Sequence, residues 1–354
     1  MPPPLGPMEP ASPPPGDDTQ APRPAEGPEV WDQLWRNLHE AVERCRHSRW
    51  ENTRPLHQLR VALRRVSVAT RVWQAHLAPE TFASLDAPLR RLRRWCGPAR
   101  DLDVRRASLE RWLSDCDPRH LAVVDLLYER ATLKRETLQP GLLRQLDRFS
   151  RRIPNPIPPL HTTPQLVAPP QSQSPPVAAL RAQILEAFEK LPTSTATLDC
   201  DLHDLRLDIK QLRYRLELLA DCDPQDRLED GLRLLRQLQN SLGDFHDAEV
   251  AREELQALRD RWNRHRQRRH WSDRPEGLFT WRELRSGLKY LRRLYRQQRD
   301  SALAEFHAHW SEALSPEGLP RLRTTLTAEP QILAAAPPEK RASPPFAVPS
   351  AISR

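Results

Sequence analysis

A chain of 354 residues with 55 Lys and Arg against 47 Asp and Glu carries a formal charge of +8, and only 38% of it is apolar. That balance favours polyanionic partners over acidic-surface ones and leaves length for two domains or one large one. No run approaches about 20 apolar residues, which excludes a helical membrane span, and the opening MPPPLGPMEP lacks the basic and apolar segments of a secretory signal. Five cysteines, Cys45, Cys96, Cys116, Cys200 and Cys222, form no C-x-x-C pair and suit a reducing, cytoplasmic setting as small buried side chains.

The 37 prolines are clustered, with eleven in 1–28, nine in 151–176 and seven in 320–354. This predicts a disordered N-terminus (1–28), a linker (151–176) and a mostly disordered tail (316–354) around two Leu- and Arg-rich blocks, 29–150 and 177–315. Apolar positions at helical spacing predict a first helix over 30–49. Pro55 is placed to start a second helix, reaching about Leu77, and Pro79 a third. Gly97-Pro98 is expected to stop that third helix, with Asp101 capping the next over 102–113. The helical period continues through 118–134 and 142–149, with a break expected at Pro140-Gly141.

After the linker the order repeats. A short amphipathic helix over 177–191 precedes one over about 199–220. Pro224 opens another, which Gly243 is expected to end before a helix over 248–262. Residues 261–271, RWNRHRQRRHW, are basic with few apolar anchors and read as a mobile loop; a long helix over 283–313 follows. No strand alternation of useful length occurs, so the expected fold class is all-α: two four-helix-type bundles related by an internal duplication with pseudo-twofold symmetry.

The duplication is read from two stretches. In LHQLRVALRRVSVATRVW (56–73), wound at ~100° per residue, His57, Arg60, Arg64 and Arg71 share one sector and Leu59, Leu63, Val66 and Trp73 the opposite one. In LHDLRLDIKQLRYRLELL (202–219), His203, Arg206, Lys210 and Arg213 share one face, and Leu205, Ile209, Leu212, Leu216 and Leu219 the other. A step of 146 carries His57, Arg60 and Arg64 onto His203, Arg206 and Lys210. The same step carries Gly97, Asp101 and Val104 onto Gly243, Asp247 and Val250. The copies differ in two places: Ser67 stands where the second has Arg213, and Glu217 where the first has Arg71.

An H-x-L-R-x-x-x-[RK] helix occurring twice, each copy followed by G-x-x-x-D-x-[DE]-V, resembles the CHAD family, the conserved-histidine α-helical domains, over roughly 29–315. The resemblance implies binding of inorganic polyphosphate through these basic residues and recruitment to polyphosphate granules. The residues themselves imply a polyanion groove walled by two cationic helices, because Arg offers a planar fork to phosphate oxygens and Lys a point charge. The expected binding residues are His57, Arg60, Arg64, Arg71, His203, Arg206, Lys210 and Arg213, with Arg90, Arg94, Arg233 and Arg236 second. No cofactor or metal is expected. The E-x-E-x-K signature of the catalytic CYTH domain sometimes fused to CHAD domains is absent, so the expectation is a binding module rather than an enzyme.

Two rivals remain. Nucleic-acid binding through 261–271 fits the charge, although no helix-turn-helix or zinc pattern is evident. A metal-dependent phosphohydrolase is suggested by the dipeptides His203-Asp204 and His246-Asp247, but a cationic row suits a metal ion poorly. The pair His265 and His270 is disfavoured as a metal site by the arginines around it. No G-x-x-x-x-G-K-[ST] loop is present.

Overall fold

The computed structural model describes residues 27–154, 156–160, 175–192, 202–222, 228–267 and 281–327, and these are all-α. Nine α-helices lie among them: α1 Gly27–Arg46, α2 Thr53–Val72, α3 Pro79–Asp115, α4 Pro118–Arg152, α5 Pro175–Phe188, α6 Leu202–Cys222, α7 Glu229–Gln267, α8 Trp281–Ala313 and α9 Leu319–Thr327. Within α1–α4 and again within α5–α8 each helix packs on the next, and helices of similar length follow in the same order.

The expected apolar faces are the buried ones. Leu59, Leu63 and Val66 of α2 and Leu205, Ile209, Leu212, Leu216 and Leu219 of α6 enter a single cluster that runs through both groups of four. Trp31, Trp35 and Trp73 meet edge-on within it, at ring separations of 5.6 and 6.2 Å. A second cluster joins the far ends of α3, α4, α7 and α8 around Leu109, Val123, Leu255, Trp262 and Leu288. Local signals start the helices as the sequence suggests. Pro79 and Pro118 occupy first-turn positions, Asp117 accepts from Arg119 N at 2.9 Å, and Asn52, three residues before Pro55, caps α2 by accepting from Arg54 N at 3.2 Å.

The expected interruptions do not occur. α3 passes through Gly97-Pro98, α4 through Pro140-Gly141 and α7 through Gly243. An internal proline forfeits one backbone bond and crowds one carbonyl, a local cost of about 3 kcal/mol, and helices of 35 to 39 residues packed on both neighbours hold the path regardless. Gly141 serves a close approach instead: a Cβ there would lie 2.2 Å from the ring of Trp95 on α3.

Residues that composition places in the linker and the C-terminal tail are also folded. α4 continues to Arg152, Ile153 and Leu160 are buried, and the indole of Trp31 donates to Pro158 O at 3.1 Å. The indole of Trp73 donates to Pro176 O, also at 3.1 Å. α9 seats Leu319, Leu322 and Leu326 in the core, where a disordered tail was expected. The basic run from 261 is helical through Gln267 as the end of α7; residues 268–271, like 1–26, 161–174 and 328–354, lie outside the described residues.

Candidate functional site

The two His-Arg helices meet, and between them lies a groove of about 320 Å³ that opens to solvent. Arg64, Ser67, Val68 and Arg71 of α2 line it with Lys210, Tyr214 and Arg215 of α6; Arg93 of α3 and Gln183 of α5 complete the wall. The apolar stripes on the opposite faces fix this geometry, because burying Leu59, Leu63, Leu205 and Ile209 leaves each basic face turned towards the other helix.

Arg60 explains the first motif. Its guanidinium donates to the carbonyls of Gly97 at 3.1 Å and Cys96 at 3.4 Å, and lies 3.6 Å from the carboxylate of Asp101. The G-x-x-x-D segment is therefore not a turn but a strip of continuous helix, with Gly97 and Asp101 four apart on one face. Burial raises the pKa of Asp101, Arg60 opposes that rise, and Asp247, the equivalent carboxylate of α7, adds to it. The two motif aspartates thus lie within electrostatic reach of each other.

His57 sits at the start of the cationic row, and its pKa is held below the usual imidazole value by partial withdrawal from water, then by Arg100, Arg60 and Arg64. The second half differs. The rings of His203 and His246 lie 5.5 Å apart over a hollow of about 260 Å³ that Arg206, Leu242, Phe245 and Glu249 also line. Burial, then Arg206, lowers the pKa of His246. Lys210 is pushed below the normal ammonium value by burial, then by Arg206, Arg60 and Arg93 once the opposing effect of Tyr214 is met. That crowding of Lys210 shows charges from three helices converging.

Not every expected cation faces the groove unpaired. Arg213 is buried; it donates from Nε to Gln239 at 2.7 Å and from Nη1 to Glu217. Its counterpart Ser67 is buried too, donating to Leu63 O at 2.6 Å at the foot of the groove wall, so neither residue offers an exposed cation at this step of the motif. Arg64 pairs with Glu217 at 3.1 Å and lies 4.0 Å over the ring of Tyr214. Arg71 is 3.7 Å from the buried carboxylate of Asp86, which also holds Arg90. Arg233 and Arg236 pair with Asp230 and Glu229 near the start of α7, and neither they nor Arg90 and Arg94 line the groove.

Arg93, Arg100, Tyr214, Arg215 and Gln183 were not anticipated. Arg93, Gly97 and Arg100 are spaced four and three apart, the signature of one helix face, and this was hidden by the expectation that α3 ends at Gly97. Arg93, Arg100, Arg206, Lys210 and Arg215 have no carboxylate within ion-pair distance among the described residues. No three His, Cys, Asp or Glu side chains among the described residues come together as a metal site. None of the described helices is long and apolar enough to cross a membrane. Burial pushes the thiol of Cys45 up to about 11 and that of Cys96 up to about 12, so neither is a ready nucleophile.

These features define an all-helical protein with a cationic groove between two like helices. Residues 29–256 match the family model described as CHAD domain, and the chain belongs to that family. Among solved structures it is similar to PptA from Streptomyces chartreusis, with a TM-score of 0.52 and 17% identity over 81% of this chain and 99% of that one. It is also similar to the CHAD domain from the plant Ricinus communis, with a TM-score of 0.48 and 20% identity over 80% of this chain and 92% of that one. No curated protein matches the chain.

Proposed function

We propose that the groove binds inorganic polyphosphate and does not turn it over. The observation that carries this reading is the convergence of Arg93, Arg100, Arg206, Lys210 and Arg215, without a carboxylate partner among the described residues, beside His57 and the His203–His246 pair. Lys210, held below the usual ammonium value by burial and then by Arg206, Arg60 and Arg93, marks a site that is stabilised by a ligand bringing negative charge at short, regular intervals. A groove walled on two sides admits a narrow flexible chain more readily than a duplex. Membership of the CHAD family supports the same ligand. Recruitment to polyphosphate granules is the expected cellular consequence.

The test sets long-chain polyphosphate against single- and double-stranded nucleic acid at matched phosphate concentration. Polyphosphate is expected to win and to be recovered at its original length after prolonged incubation with Mg²⁺. Preference for nucleic acid would overturn the reading, and so would shortening of the chain that disappears in a His203→Ala variant.

A further inference from the structure

Glu217 and Asp221, four apart, are the acidic residues on the otherwise cationic face of α6, and Glu217 is placed like a ligand. Its Oε2 accepts from Arg64 at 3.1 Å and its Oε1 from Arg213. Each carboxylate oxygen therefore meets a different guanidinium, the way two non-bridging oxygens of one phosphate are held. Both guanidiniums also stack on Tyr214, at 4.0 and 4.7 Å from the ring centre, and Gln239 fixes the Nε of Arg213 at 2.7 Å. The two cations are thus pre-arranged around the carboxylate rather than drawn loosely towards it.

This seat adjoins the groove. Arg64 and Tyr214 line both the groove and a small crevice of about 10 Å³, whose other walls are Arg65, Glu217, Leu218 and Asp221. Asp221 in turn holds Arg65. One side of the α2–α6 junction is therefore neutralised by carboxylates from the chain itself, and the other side is left cationic.

We propose that Glu217 is a built-in anion occupying what is otherwise a phosphate seat between Arg64 and Arg213, so that it closes the groove on that side and limits how many phosphates the site engages. This rests on the polyphosphate reading above and names a specificity-determining residue for it. Glu217 is tethered on α6 and at hand at all times, so a polyphosphate chain must displace it to reach Arg64 and Arg213. The chain instead ends at the Arg64–Tyr214 wall and runs towards Arg93, Lys210 and Arg206.

The experiment measures the affinity of wild type and Glu217→Gln for long-chain polyphosphate as a function of salt. The amide keeps the shape of the side chain and an acceptor oxygen, and circular dichroism checks that the helices are retained. Freeing two cations is expected to tighten binding by about tenfold or more at low salt and to steepen the dependence of log K on log salt by about 1.4, at roughly 0.7 per cation. Adding Arg213→Gln to Glu217→Gln is expected to remove about half of the added slope. Wild type and Glu217→Gln binding with the same affinity and slope would overturn the role of Glu217 and leave the ligand reading intact. Weaker binding by a folded Glu217→Gln would do the same, marking the residue as a brace. Absence of polyphosphate binding by either protein at low salt would overturn the reading itself.

Discussion

Neutralising Arg206 and Lys210 together isolates the electrostatic work of the groove. Five cations at the groove and its flanks, Arg93, Arg100, Arg206, Lys210 and Arg215, lack a carboxylate at ion-pair distance among the described residues. Arg64, Arg71 and Arg213 are already engaged by Glu217 or Asp86. If each unpaired cation displaces counterions as it does on a flexible single strand, log K falls with log salt at a slope of about −3.5 for wild type and about −2.1 for Arg206→Gln with Lys210→Gln. Between 50 and 200 mM salt those slopes correspond to losses of about 130-fold and about 20-fold in affinity. Fluorescence anisotropy of end-labelled polyphosphate, at a pH near 8 where His57 and His246 are neutral, reads both curves. Lys210 extends from the face of α6 opposite Ile209 and Leu212, so the variant is expected to stay folded. Equal slopes for the two proteins would mean that these cations do not contact the ligand, and the groove would lose its assignment.

Binding should also take up protons. His57 and His246 have folded pKa values below 6.5, and phosphates favour their charged forms, so affinity is expected to rise as pH falls from about 7.5 to 5.5. That rise should exceed the one seen in the His57→Gln, His246→Gln protein. Without ligand the sign reverses for stability: the unfolded chain binds these protons more readily, so the contribution is intact above pH 6.5 and is lost progressively as pH drops towards the depressed values, which urea titrations at several pH values would show. Gly141→Ala drives a Cβ to 2.2 Å from Trp95 and should cost about 1–3 kcal/mol, whereas Gly243→Ala meets nothing within 4 Å in a helix interior and should gain about 0.5–1 kcal/mol; thermal melts that failed to separate the two would refute the packing. Arg135→Met leaves the buried Asp103 without its 2.9 Å partner and should cost about 3–5 kcal/mol, most of it recovered when Asp103→Leu is added.

The apolar half of the fold was legible because helical periodicity is set by burial alone: Leu59, Leu63 and Val66 are buried as their spacing requires. His57, Arg60 and Lys210 were legible as one face of each helix for the same reason. Helix ends were not. Gly97, Pro98, Pro140 and Gly243 are local stop signals, and each is overridden by packing along long helices, a contribution that a window of residues does not contain. The site followed suit. Once α3 was taken to end at Gly97, Arg93 and Arg100 could not be placed on a common face with the motif glycine. Long-range pairing was equally hidden: nothing near Arg213 announces Gln239, and nothing near Asp86 announces Arg71.

The two indole bonds, from Trp31 to Pro158 O and from Trp73 to Pro176 O, have a consequence for how the chain can vary. Each anchors one end of the proline-rich segment to the shared core, so the core fixes where the segment leaves and returns. Loop-closure entropy grows only logarithmically, by about 0.6 kcal/mol for each doubling in length. An insertion placed after Leu160, which is itself buried in the core, is therefore expected to be cheap as long as Trp31 and Trp73 keep their acceptors. A fluorescent protein or an affinity tag spliced there should leave the groove and its ligand affinity as they are.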